Sequence, residues 1–199
     1  LGTVATSKPA AMPSWSPDGS KIVYVGCDDG ASALGAGDCN LYTQDWNSSS
    51  ASFSNETLLV ARGGLETLYY PTFSPDSQWV AYNRGEMWTD SGGNEYSSNA
   101  NPKAKLMLIA SSGGTAIELA NANGIGDMTN SWPRWAPTAG GTGWLAWSTK
   151  RDYGPPTSRP AHRSSADANA SSRTARPETT TLWSDAQAPN WLPRGRVLQ

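Results

Sequence analysis

The chain has 199 residues with 15 basic and 17 acidic groups, a net charge of −2, and hydrophobic residues at only 37% of positions. An acidic balance without a basic stripe argues against a nucleic-acid partner, and no apolar run reaches the length of a membrane span. Twenty glycines, fourteen prolines and ten tryptophans point instead to short strands, tight turns and aromatic packing.

In chain order, the first element is the phrase MPSWSPDGSKIVYV around Pro13. Asp18-Gly19 supplies a tight turn, because Gly accepts positive φ and Asp hydrogen-bonds its own backbone. The strand that follows, Ile22-Val23-Tyr24-Val25, is apolar on consecutive residues, so both of its faces must be covered. Two further strands, Asn40–Thr43 and Glu56–Val60, flank the Ser/Asn-rich turn DWNSSSASFSN. Cys27 closes the second strand and Cys39 opens the third, with eleven residues between them. A hairpin would place them opposite each other as a disulfide worth about 3 kcal/mol by loop closure, the alternative being a pair of buried thiols. Two sulfurs without a nearby His do not make a metal site. Asp28, Asp29 and Asp38 share the intervening loop without EF-hand spacing and read as solvated carboxylates.

The second copy, YPTFSPDSQWVAYN, contributes Trp79–Tyr82, and then Lys105–Ile109 and Ala116–Leu119 flank Ser112-Gly113-Gly114. The third copy, WPRWAPTAGGTGWLAWS, contributes Trp144–Trp147, and APNWLPRG begins a fourth. The leading prolines, 13, 71, 133 and 189, fall 58, 62 and 56 residues apart. Each is followed two residues on by an aromatic (Trp15, Phe73, Trp135, Trp191) and two further on by a second proline. A fixed phrase at a fixed period marks a repeat architecture. Four strands per period of about 60 residues make a propeller blade. No ten-residue stretch carries an amphipathic helical period. The expected fold is all-β, a partial β-propeller of about three four-stranded antiparallel blades, each beginning its first strand at a repeat proline.

This phrase resembles the repeat of the TolB-like β-propellers, close to P-x-W-S-P-D-G-x-x-I-A-Y, over residues 10 to 150. The match is strong in the first two copies and weaker in the third, where Thr138 stands at the turn Asp and three extra residues lengthen the hairpin. The resemblance implies a six-bladed ring, so the chain is expected to be a fragment whose end blades expose faces prone to association. It also implies a non-catalytic scaffold outside the cytoplasm, periplasmic, in the cell envelope or secreted, that binds a protein or other ligand. A second reading is the propeller portion of a larger serine peptidase similar to the prolyl oligopeptidase group, with its catalytic domain absent. A third is the propeller of a carbohydrate-active or lyase protein. Fold alone does not choose among them.

Composition divides the chain into blades over 1–154, a low-complexity stretch over 155–180, and a remnant of blade three with the start of a fourth repeat over 181–199. Residues 155–180 contain no Val, Ile, Leu, Met, Phe, Tyr, Trp or Cys. The stretch reads either as a disordered linker or as an out-of-frame translation. The single histidine, His162, lies within it, and no G-x-S-x-G elbow occurs, so no catalytic residue is expected. GGTG at 140–143 lacks the Lys-Ser/Thr of a phosphate loop, and no cofactor is implied. Trp15, Trp79, Trp135, Trp144, Trp147 and Trp191 are expected between blades, with Trp46 and Trp88 in loops or at strand ends. Met12, Tyr70 and Trp132, each immediately before a repeat proline, are expected to line the top or the channel of the ring and are the candidate ligand surface.

Overall fold

Among the described residues, strands of a sheet pair with the next strand in sequence everywhere except in blade two, where a two-stranded insertion separates two paired strands. A computed structural model describes residues 4–28, 37–89, 91–93, 95–96, 100–137, 143–150 and 179–183. Blade one contains β1 (Ala10–Trp15), β2 (Lys21–Cys27), β3 (Cys39–Asn47) and β4 (Ser52–Val60) in that spatial order. Blade two contains β5 (Glu66–Phe73) and β6 (Trp79–Glu86), then, after a two-stranded insertion of β7 (Trp88–Thr89) and β8 (Glu95–Tyr96), β9 (Lys105–Ala110) and β10 (Ile117–Glu118). A single helical turn, α1 (Ala120–Asn123), leads to blade three: β11 (Ser131–Trp135), β12 (Leu145–Thr149) and β13 (Thr179–Trp183). All pairings are antiparallel. β13 takes in Thr179 and Thr180, the last residues of the low-complexity stretch, and its backbone pairs with β12 from Thr149↔Thr179 to Leu145↔Trp183. The rest of that stretch, His162 and Trp191 lie outside the described residues.

The consecutive apolar residues of β6 divide between two interfaces, as their pattern requires. Val23 and Val25 of β2 and Val80 and Tyr82 of β6 meet in one core cluster with Leu41, Phe73, Met107 and Ile109. Ala81, Leu106 and Leu108 point the other way, into a second cluster with Leu145 and Trp147 of blade three. Blade two is therefore covered on both faces. The first strands lie side by side, β1 against β5 and β5 against β11. Antiparallel sheets stacked face to face with their first strands adjacent are the blades of a β-propeller; the described residues form two four-stranded blades and three strands of a third.

The repeat prolines sit inside the first strands rather than at their starts. Pro13, Pro71 and Pro133 each fall in a bulge, where the register jumps between Ala11 and Ser14, Tyr69 and Thr72, and Ser131 and Arg134. Two residues on the first strand thus oppose one on the second: Tyr24, Tyr82 or Trp147. A proline cannot donate to a ladder, and a bulge on an edge strand is where a sheet tolerates it.

The serine and aspartate of the repeat phrase shape the turn. Ser16 Oγ donates to Asp18 (2.6 Å), which accepts from the Ser20 N–H (2.9 Å), while Ser16 Oγ also accepts from the Lys21 N–H (2.8 Å). Ser74, Asp76, Gln78 and Trp79 repeat the arrangement in blade two. The Asp18 N–H also donates to Ser77 Oγ at 3.1 Å, so adjacent turns are tied blade to blade.

Among the described residues no sheet lies against the other face of blade one. Trp15 is 49% exposed there, against 4% for its repeat equivalent Phe73, and Leu58 is 50% exposed. The expectation that Trp15 packs between blades is thus corrected: in blade two the equivalent Phe73 packs against blade one, and among the described residues no sheet stands in that place beside Trp15. Trp15 instead contacts Trp46 (centroids 5.8 Å) and Phe53 (5.4 Å) within its own sheet. The other end of the face is crossed by residues 4–9. Gln44 Nε2 donates to the Ala5 carbonyl (2.7 Å) and the Ser7 N–H to Glu56 (3.0 Å).

Burial works against the charge of Glu56, but hydrogen bonds from the Tyr24 hydroxyl, the Ser7 N–H and Gln44 hold its carboxyl below the ordinary glutamate range. A depressed carboxyl stabilises the fold above its unfolded pKa, and that contribution is lost as pH falls through the folded value. Hydrogen exchange of the Ser7 amide should therefore speed up about fivefold as pH falls through the depressed pKa of that carboxyl, after correction for the intrinsic rate, as one hydrogen bond of about 1 kcal/mol is lost. In Glu56→Gln the corrected rate should be flat across that range. An unchanged acid response in Glu56→Gln would assign the effect elsewhere.

Candidate functional site

Met12, Tyr70 and Trp132 form one continuous row across the three first strands. The Tyr70 N–H donates to Met12 Sδ at 3.4 Å, and the Tyr70 ring stacks on Trp132 with centroids 5.0 Å apart and planes 15° off parallel. Tyr69 abuts Tyr70 edge-on at 5.4 Å. Tyr70 is 3% exposed and Trp132, at the end of the row, 38%. The residues singled out in the sequence for their place before a proline are thus brought together in space.

Their backbone explains why. Met12, Tyr70 and Trp132 have φ of 54°, 51° and 60°, the left-handed region, at the first position of each bulge. This conformation costs a non-glycine residue roughly 1–2 kcal/mol. The same strained geometry recurs three times on large side chains, and it turns each of them along the row of first strands instead of into its own sheet. Strain and bulges of this kind concentrate where a fold re-aims side chains for function.

A buried asparagine network holds the exposed end of the row. Asn83, fully buried, donates from Nδ2 to the Asn130 carbonyl (2.7 Å) and the Lys105 carbonyl (3.1 Å), and its Oδ1 accepts from the Trp132 N–H (3.0 Å). Asn130 Nδ2 donates to the Asn123 carbonyl (2.9 Å), and Trp147 Nε1 donates to Asn130 Oδ1 (3.2 Å). Asn123 in turn bonds both backbone groups of Leu106, at 2.7 and 3.2 Å. Sequence reading missed these residues. Asn83 was visible only as a polar residue ending the run WVAYN, and Asn123 and Asn130 lie in an Asn/Gly-rich stretch that reads as a turn.

Beside Trp132, on the face of blade three turned away from blade two, a cleft of about 450 Å³ is lined by Trp132, Arg134, Ala146, Trp147 and Ser148. A second depression of about 310 Å³ collects Glu66, Arg84, Glu86, Lys103 and Asp127 at one end of blade two. Its charges neutralise one another: Arg84 pairs with Glu66 (3.4 Å) and Glu118 (3.3 Å), and Lys103 with Glu86 (2.8 Å). The tyrosine hydroxyls near the row stay protonated at neutral pH, because burial pushes Tyr82 up to about 12 and Tyr69 higher still.

Cys27 and Cys39 face each other in the β2–β3 register and form a disulfide with Cα atoms 4.0 Å apart. Both are fully buried at the blade one–blade two interface. Asp28 pairs with Lys8, and Asp38 with Arg62 at 3.1 Å, while Asp29 lies outside the described residues. Among the described residues no three His, Cys, Asp or Glu side chains gather as metal ligands, and no helix is long and apolar enough to cross a membrane.

The fold and the bulge row define the protein as a partial β-propeller. No family model matches the chain, and no curated protein does. Among solved structures it is similar to a protein from Agrobacterium tumefaciens described as a TolB, with 18% identity and a TM-score of 0.45 over 75% of this chain and 42% of that one. Hydrazine synthase from Kuenenia stuttgartiensis gives 13% identity and 0.39 over 74% and 41%, and a puromycin hydrolase 16% and 0.31 over 69% and 24%. The chain thus spans less than half the length of each of these structures.

Proposed function

We propose that the chain is a non-catalytic binding scaffold whose recognition surface is the row Met12–Tyr70–Trp132, and that its ligand is a protein segment presenting apolar or aromatic side chains. The observation that carries this reading is the threefold recurrence of left-handed backbone on large pre-proline residues, which lines Met12, Tyr70 and Trp132 up across the first strands and leaves the row open at Trp132. An apolar row with one open aromatic end suits side chains inserted from an extended polypeptide. The buried disulfide supports an oxidising compartment outside the cytoplasm, where such bridges persist.

Selection of random dodecapeptides on the immobilised protein tests the reading. Selected peptides should lose at least about tenfold in affinity on Trp132→Ala, as expected of a central aromatic anchor. Peptides that bind Trp132→Ala as tightly as the parent, or a selection that never rises above background, would sink it.

A further inference from the structure

Lys105 lines the charged depression at the end of blade two but stands outside its ion pairs: among the described residues no carboxylate pairs with it. Its partner across the β6–β9 ladder is another cation, Arg84. Like charges directly opposite each other destabilise a sheet. The carboxylates of the region are committed elsewhere, Glu66 and Glu118 to Arg84 and Glu86 to Lys103, on which Asp127 also acts. Nor does the repeat ask for this pair. In blade one the equivalent opposed residues are Gly26 and Asn40, and the Asn40 side chain is spent on the Arg62 N–H. In blade three they are Thr149 and Thr179. A half-buried lysine facing an arginine, without a counter-ion and without precedent in the neighbouring blades, works against the stability of the sheet and is suited to an anion from outside.

The depression adjoins the aromatic row. Tyr69 sets its ring edge-on against Tyr70, and its hydroxyl lies 2.8 Å from where a side chain on Gly85, in the depression, would begin. That hydroxyl is buried and has no hydrogen-bond partner among the described residues. The rings of Trp132, Tyr70 and Tyr69 step toward Gly85 at centroid spacings of 5.0 and 5.4 Å, a path that an extended chain covers in about five residues. The inserted hairpin β7–β8 leaves the sheet at this same end, directly after Glu86, and insertions in repeat folds collect on the binding face. We propose that Lys105 is an acid-recognising subsite of the row: a polypeptide whose apolar or aromatic side chain meets Trp132 places an Asp or Glu carboxylate against the Lys105 ammonium. The inference rests on the binding role proposed above and narrows its ligand to segments that carry an acid close to the apolar anchor.

Dodecapeptides selected on the immobilised full chain, resynthesised with amidated C-termini so that only side chains supply carboxylates, test the subsite. They should carry Asp or Glu within about five residues of the apolar anchor. Lys105→Met keeps the length of the side chain and removes its charge, and should weaken these peptides about tenfold. Parent binding should also weaken between about 50 and about 500 mM NaCl, and Lys105→Met should lose most of that salt dependence. A fresh selection on Lys105→Glu should return peptides with Lys or Arg in place of the acid. Because Lys105→Met relieves a like-charge pair, its thermal midpoint should equal or exceed the parent's, which separates lost recognition from lost folding. Peptides that lose affinity with Trp132→Ala but not with Lys105→Met, or that lack an acidic residue, would overturn the subsite and leave the row standing. A Lys105→Met variant that melts below the parent would give the lysine a structural role and overturn it too, and a selection that never rises above background would overturn row and subsite together.

Discussion

Replacing both cysteines, as in Cys27→Ala/Cys39→Ala, should lower stability by about 3 kcal/mol and the thermal midpoint by roughly 6–12 °C for a chain of this length. The bridge spans a separation of 12 residues, and closing that loop restricts the unfolded chain in proportion to the logarithm of its length. Native burial adds to this. Both sulfurs lie fully buried among Val23, Val25, Leu41 and Leu68, so the double variant also loses packing at the blade one–blade two interface. Differential scanning calorimetry of parent and variant, with the parent scanned with and without reductant after thiol counting, checks the value. A midpoint that stays within about 2 °C of the parent would show that the bridge is peripheral to the blade contact.

Asn83→Ala should cost a similar amount, about 3 kcal/mol, by a different route. The side chain donates to Asn130 and Lys105 carbonyls and accepts from the Trp132 amide, all within a fully buried site that joins blade two to blade three. Removing it strands at least two buried polar groups, at about 1–3 kcal/mol each. Asn83→Asp would distinguish hydrogen bonding from volume: a carboxylate keeps the acceptor for Trp132 but loses the donor to Asn130 and adds a buried charge, so it should be worse than Ala. The Trp132 amide is the one to watch. Urea unfolding gives the free energy, and a nuclear magnetic resonance shift of that amide reports whether the left-handed turn survives. If Asn83→Ala unfolds at the parent's midpoint, the network is ornamental.

How much of this was legible in the residues depended on whether the cause was local. The run Ile22–Val25 required cover on both faces, and the two core clusters supply it on either side of the equivalent run Trp79–Tyr82. Cys27 and Cys39 bracket a loop between two strands, and the register places them directly opposite. The prolines gave the period but not the bulge, because proline fixes its own φ while the distortion falls on the residue before it. Nothing in a Met, Tyr or Trp side chain favours left-handed backbone, so the row could be suspected from repetition and not from propensity. Trp15 shows the opposite limit. Its sequence environment matches that of Phe73, and its 49% exposure reflects what stands beside the sheet, which no local reading contains. The insertion β7–β8 and the asparagine network escaped for a related reason: polar, turn-forming residues look alike whether they face water or a neighbouring backbone.

The order of strands, sequential but for the β7–β8 insertion, also bears on how the chain acquires its shape. No strand of blade one waits for a partner beyond Val60, and β5 and β6 of blade two likewise pair before β9 and β10 are reached. Contacts of short sequence separation form quickly, and arrays of such units assemble by propagation from neighbour to neighbour. A chain emerging N-terminus first can therefore complete the Cys27–Cys39 hairpin, and seal it in an oxidising compartment, while everything after Asn47 is still to come. Blade one then serves as the template on which Phe73, Val80 and Tyr82 of blade two condense. The other face of blade two, with Ala81, Leu106 and Leu108, then receives Leu145 and Trp147 of blade three, so each sheet is both the product of one docking step and the platform for the next.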